Sequence, residues 1–70
     1  MTGHVKSYDH QVGVGVIVCS SGEEITFRER GIDDRRWTPK PGAAVSLDVI
    51  VMRSGKLAVG VTPGIRWRSH

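Results

Sequence analysis

Large rings are scarce in this chain. Of its 70 residues, two are Trp, one is Tyr and one is Phe. With apolar residues at 39%, that leaves material for one thin core and no second one. Cysteine occurs once, at Cys19, which excludes an internal disulfide and fits a reducing, cytoplasmic setting. No apolar run approaches the roughly 20 residues that a membrane-crossing helix needs, so no membrane partner is expected. Met1-Thr2-Gly3-His4 opens the chain without the basic region and apolar stretch of a secretory signal. Internal repeats and low-complexity segments are absent as well.

The patterns that carry catalysis are also missing. His4, His10 and His70 have no acidic or nucleophilic partner at an informative spacing, so an enzyme is not expected. One Cys and three scattered His make no zinc pattern. Glu23-Glu24 and Asp33-Asp34 read as turn-forming carboxylates, and neither a metal nor another cofactor is implied. Acidic charge is the minority sign: ten Lys and Arg oppose seven Asp and Glu, for a net charge of +3. That excess permits a polyanionic partner without requiring one. Arg28, Arg30, Arg35, Arg36 and Lys40 crowd the middle of the chain, and Arg66 and Arg68 flank Trp67 near its end.

What is present is β-branched. Gln11 to Cys19 reads Gln-Val-Gly-Val-Gly-Val-Ile-Val-Cys, a strand whose alternation puts Val12, Val14, Val16 and Val18 on one face. Gly13, Gly15, Ile17 and Cys19 take the other. Glycines inside a strand mark close backbone approach or a barrel corner. A phosphate-cradling loop is excluded, because Gly13-x-Gly15 lacks the third glycine and no helix follows.

Other strands flank this one. Val5 to Tyr8 precedes it, and Ser20-Ser21-Gly22-Glu23 turns it into a third, Glu24 to Glu29, with Gly22 suited to a positive φ. Arg30 to Gly42 is a long connection, since Gly31, Asp33, Asp34, Pro39, Pro41 and Gly42 exclude a regular strand, with room for one helical turn at Ile32 to Arg35. Ala43 to Met52 is the fourth strand, Arg53-Ser54-Gly55-Lys56 a hairpin, and Leu57 to Thr62 the fifth. Residues 1–64 make one domain, and residues 65–70 form a short basic tail. The alternation predicts an all-β, five-stranded antiparallel Greek-key barrel. Its expected core is Val5, Ile17, Cys19, Ile25, Phe27, Val45, Leu47, Val49, Val59 and Val61.

The order of these signals resembles the cold-shock domain family. Gly3-His4-Val5-Lys6-Ser7-Tyr8-Asp9 is similar to its opening Gly-x-Val-Lys-Trp-Phe-Asn. Val12-Gly13-Val14-Gly15-Val16-Ile17 resembles Lys-Gly-Phe-Gly-Phe-Ile, and Ile25-Thr26-Phe27-Arg28-Glu29 stands where Val-Phe-Val-His-Phe would. Gly42-Ala43-Ala44-Val45-Ser46-Leu47 looks like Gly-x-x-Val-Ser-Phe. The resemblance runs from about Gly3 to Thr62. It implies a cold-shock-like OB-fold and a partner in single-stranded RNA or DNA.

The departures fall on the family's nucleic-acid face. Ser7 stands for a Trp, Val14 and Val16 for two Phe, Thr26 and Glu29 for two more, Arg28 for a His, and Val12 for a Lys. A base stacked on an aromatic contributes about 1–3 kcal/mol, so losing five platforms removes roughly 5 kcal/mol even at the low end. The resemblance therefore implies weak, charge-dominated binding through Lys6, Tyr8, Arg28, Arg35, Arg36 and Trp37. A second reading is a cold-shock fold adapted as a protein-interaction module. Val12, Val14, Val16 and Val18 would then form an apolar interface for a homodimer or another protein.

Overall fold

The computed structural model describes residues 1–34 and 36–64. Arg35 and the tail 65–70 lie outside the described residues. Five strands run in the order β1 (Thr2–Asp9), β2 (Val14–Cys19), β3 (Glu24–Arg28), β4 (Ala44–Met52) and β5 (Gly55–Pro63). They close into a barrel in which the neighbours are β1-β2-β3-β5-β4. The expectation of a purely antiparallel sheet is corrected at one seam: β3 runs parallel to β5 through Thr26 opposite Leu57 and Phe27 opposite Ala58. Every other pairing between strands is antiparallel. Among the described residues, no helix is long and apolar enough to cross a membrane.

Strand β2 follows its sequence closely. Its side chains alternate between half-buried Val14, Val16 and Val18 and buried Gly15, Ile17 and Cys19. The strand starts later than its valines suggest, because the Asp9 carboxylate accepts hydrogen bonds from the N–H groups of Gln11 (2.9 Å) and Val12 (3.4 Å). An Asx turn of this kind competes with the ladder for the backbone. Val12 is left in the turn, 70% exposed, and does not belong to the β2 row. Gly22 takes φ 91° in the next hairpin, as its sequence context requires. The one short helical turn forms at Glu29–Gly31 as a 3₁₀ turn, ahead of the expected Ile32 to Arg35.

The barrel is filled by Val5, Ile17, Cys19, Ile25, Phe27, Val45, Leu47, Ala58 and Val61. Cys19 is buried and unpaired. Two expected core residues are displaced. Val49 is only half-buried against the core, and Val59 is half-exposed while Ala58 is fully buried. For Val59 the cause is a bulge. Asp48 faces Val59 and Ser46 faces Thr62, so three steps of β5 are matched by two of β4. Gly60 sits in that bulge at φ 60°, a conformation costly for residues with a side chain. The extra residue resets the pleat, so Ala58, Val61 and Thr62 are all buried.

A second irregularity lies in β1. Val5 faces Ile17 but Ser7 faces Val16, which leaves Lys6 as the extra residue. Beyond it Tyr8 faces Gly15, and Gly15 faces Phe27. A Cβ at Gly15 would lie 2.5 Å from the Phe27 ring and 2.5 Å from the Ser7 carbonyl oxygen. The missing side chain is the space the ring occupies. Gly15→Ala is expected to cost about 1–3 kcal/mol by overpacking, read as a lower urea midpoint with an unchanged slope.

Candidate nucleic-acid interface

Strands β1, β2 and β3 present one continuous outer surface. Their registers set three rows across it: His4–Val18–Glu24, Ser7–Val16–Thr26 and Asp9–Val14–Arg28. The centre of every row is a valine. Lys6, at the β1 bulge, reaches over this surface to Glu24 with Nζ 3.0 Å from Oε2. Both partners are about half exposed, so the pair contributes well under 1 kcal/mol to stability. It does hold the Lys6 charge against a carboxylate. Arg28 is exposed at the far end, roughly 13 Å from the Glu24 row at four strand steps, and has no ion pair among the described residues.

The six residues expected to bind nucleic acid thus divide. Lys6 and Arg28 share the valine surface. Tyr8 does not, because the bulge at Lys6 turns it inward, where its ring stacks on Phe27 at 5.6 Å and 15° and meets His10 edge-on at 4.9 Å. Trp37 is half-buried against the core. Arg36 is exposed in the long connection, its N–H donating to Asp34 Oδ1 at 3.0 Å. Arg35 lies outside the described residues. Of the four valines, Val14, Val16 and Val18 share the surface and Val12 does not.

Tyr8 and Trp37 meet elsewhere, in a cleft of about 850 Å³ between the end of β1 and the long connection. Its rim is acidic, with Glu29, Asp33 and Asp34 against Arg30. Sequence reasoning assigned Asp33 and Asp34 to a turn, placed Glu29 at the end of the third strand on the nucleic-acid face, and left His10 without a role; Glu29 instead opens the 3₁₀ turn and lines this cleft. The only signal was their proximity in the chain to Trp37, and spacing alone does not show that β1 ends beside that connection. Among the described residues, no group of three or more His, Cys, Asp or Glu is placed to hold a metal ion. No family model matches the chain, and no curated protein matches it either.

Burial, then the charges of Glu29 and Asp9, push the Tyr8 phenol above its ordinary value of 10.0. Burial and Glu23 likewise raise the Cys19 thiol, which keeps it protonated and unreactive at neutral pH. For Tyr8 the fold favours the neutral phenol. That contribution is fully present below pH 10 and is lost as pH rises through the raised folded-state value. Denaturation followed from pH 8 to 11 should show stability falling above pH 10, and falling less steeply in Tyr8→Phe.

Proposed function

We propose that this chain is a cold-shock-like OB barrel that binds single-stranded RNA or DNA weakly, through charge, on the outer surface of β1, β2 and β3. The observation that carries this reading is the register. It sets Ser7, Val14, Val16, Thr26 and Arg28, all positions that align with the family's nucleic-acid face, on a single surface. The barrel order β1-β2-β3-β5-β4 supports the OB assignment. With no Phe, Tyr or Trp among the described residues of that surface, stacking contributes little and phosphate contact dominates. Arg28 is the principal cation, and Lys6 joins it by exchanging Glu24 for a phosphate.

Fluorescence anisotropy with a labelled oligonucleotide at several salt concentrations tests this. Log affinity should fall against log salt with a slope of about −0.7 per phosphate neutralised. Arg28→Ala should weaken all sequences alike, and Glu24→Gln, which frees Lys6, should strengthen them. Binding that ignores salt, or none at low salt, would sink the proposal.

The valine row favours a second reading, a protein-interaction surface. Val14, Val16 and Val18 stand side by side on the outside of the barrel, half exposed. Fully burying an exposed valine contributes about 1.5–3 kcal/mol, and since these are already half-buried a partner's cover adds roughly half of that for each. Sedimentation should then show a concentration-dependent dimer that is lost when Val14 and Val16 are both changed to Lys. The same double change should strengthen oligonucleotide binding if the nucleic-acid reading is correct.

A further inference from the structure

Strand β4 outruns the strand that closes the barrel on it. β1 covers one edge of β4 only at Thr2–Ser46, Gly3–Val45 and His4–Ala44, and the Leu47 N–H then donates to the Met1 carbonyl at 2.8 Å. The opposite edge stays on β5 to the end, from Asp48 facing Val59 to Met52 facing Gly55. In an antiparallel pair, successive residues turn their N–H and C=O alternately toward the partner and away from it. Leu47 turns its N–H to the β1 side, and the bulge at Gly60 puts its extra residue on β5, so β4 itself keeps step. Val49 and Val51 therefore turn their N–H and C=O to the β1 side too, where no described residue pairs with them. The side chains are bare as well. Val51 is 80% exposed, Ile50 and Met52 are nearly half exposed, and Asp48 is the only charge between Leu47 and Met52. Edge strands are ordinarily blunted by Lys, by Pro or by a bulge, and this stretch has none of them.

We propose that this edge pairs antiparallel with the same edge of a second copy, giving a sheet that runs β5-β4-β4-β5 across a twofold axis at Ile50. Only an extended backbone satisfies such an edge, and the strand that fits it is apolar on both faces, as Val49-Ile50-Val51-Met52 is. Ile50 is the midpoint of the bare stretch from Asp48 to Met52. With the axis there, Val49 of each copy lies opposite the partner's Val51, and every outward N–H meets an outward C=O. An axis at Val49 would set the partner's Val51 against Leu47, whose N–H is already held by Met1. An axis at Val51 would draw the turn residue Arg53 into the ladder. The Ile50 register also brings Arg53 of each copy beside the partner's Asp48, and neither residue is in an ion pair among the described residues. About five residues a side fall well short of the roughly 20–30 of a standard interface, so the dimer is weak, with a Kd on the order of 0.1–1 mM. The edge is separate from the valine row and does not depend on what that row binds.

Isotope-labelled full-length protein, followed by NMR from micromolar to millimolar concentration, tests the proposal. Exchange of the Val49 and Val51 amides should slow as concentration rises, while the Ile50 and Met52 amides, already turned to β5, should change little. Val51→Pro removes an outward N–H at an edge that tolerates the loss, and Val51→Lys keeps the backbone but adds a charge. Each should weaken association at least roughly tenfold with the circular dichroism unchanged. Ile50→Cys should be captured as a disulfide dimer on mild oxidation, since opposed Cα atoms at such a pair lie about 4.5 Å apart, within disulfide reach. Met52→Cys should not be captured, nor should the parent, whose Cys19 is buried. Changing Val14 and Val16 together to Lys should leave this dimer intact, so failure here is distinct from failure of the valine-row reading. A parent that stays monomeric at millimolar concentration, or association that survives Val51→Pro, overturns the proposal. So does protection of Val49 and Val51 that ignores concentration, because the edge is then covered within one chain. Capture at Met52 in place of Ile50 overturns the Ile50 register.

Discussion

The Phe27 ring lying where Gly15 has no side chain is the contact on which the barrel depends. Phe27 is the largest fully buried side chain among the described residues, and its β3 position faces Gly15 on β2. A thin core with one Phe gains most by placing that ring centrally, and only a glycine lets the neighbouring strand pass so close. The same gap exposes a face of the ring to Tyr8, which stacks on it from β1. Three strands are thus tied through one ring. Tyr8 is carried inward by this stack, and with it the floor of the acidic cleft is laid.

The inside and outside of β2, β3 and the first half of β4 were legible in the sequence. There the strands are regular, so alternate residues alternate in burial, and Ile17, Cys19, Ile25, Phe27, Val45 and Leu47 all lie inside as their parity predicts. Illegibility begins at each bulge. An extra residue reverses which side chains face the core, yet no side chain in the sequence announces it. Lys6 in β1 reverses Tyr8, and Gly60 in β5 exchanges Val59 for Ala58. Gly60 could have been suspected, as a glycine inside a strand, but Lys6 could not. The cleft was hidden for a different reason. It is assembled from the end of β1 and a connection more than twenty residues later, which only the closed barrel brings together.

The two surfaces have opposite characters. On the outer surface of β1 to β3 the charges nearly cancel, with Lys6 and Arg28 against Glu24 and Asp9, and the apolar row supplies the area. In the cleft two rings pack on the core, and among the described residues three carboxylates stand against Arg30. The positive net charge of the chain says little about either, since charge acts on a partner over about 10 Å at ordinary salt and not over the whole molecule. Composition predicts a mild preference for polyanions, while geometry divides the molecule into places of separate charge.

The parallel seam between β3 and β5 sets how the barrel closes in time. β1 to β3 are joined by short turns, and β4 and β5 by a tight hairpin, so each part can form from neighbours in the chain. The seam instead joins Thr26 to Leu57 and Phe27 to Ala58, with one further bridge from Ile32 to Val61. Its few bonds must repay the entropy of closing a loop of about thirty residues, so it forms after the local pieces. By the same reasoning it is, with the β1–β4 pairing of Gly3 and Val45, one of the two lines along which the closed sheet opens first. Amide protons of β5 facing β3 are then expected to exchange with solvent sooner than those of β2, whose partners on both sides are its neighbours in the chain.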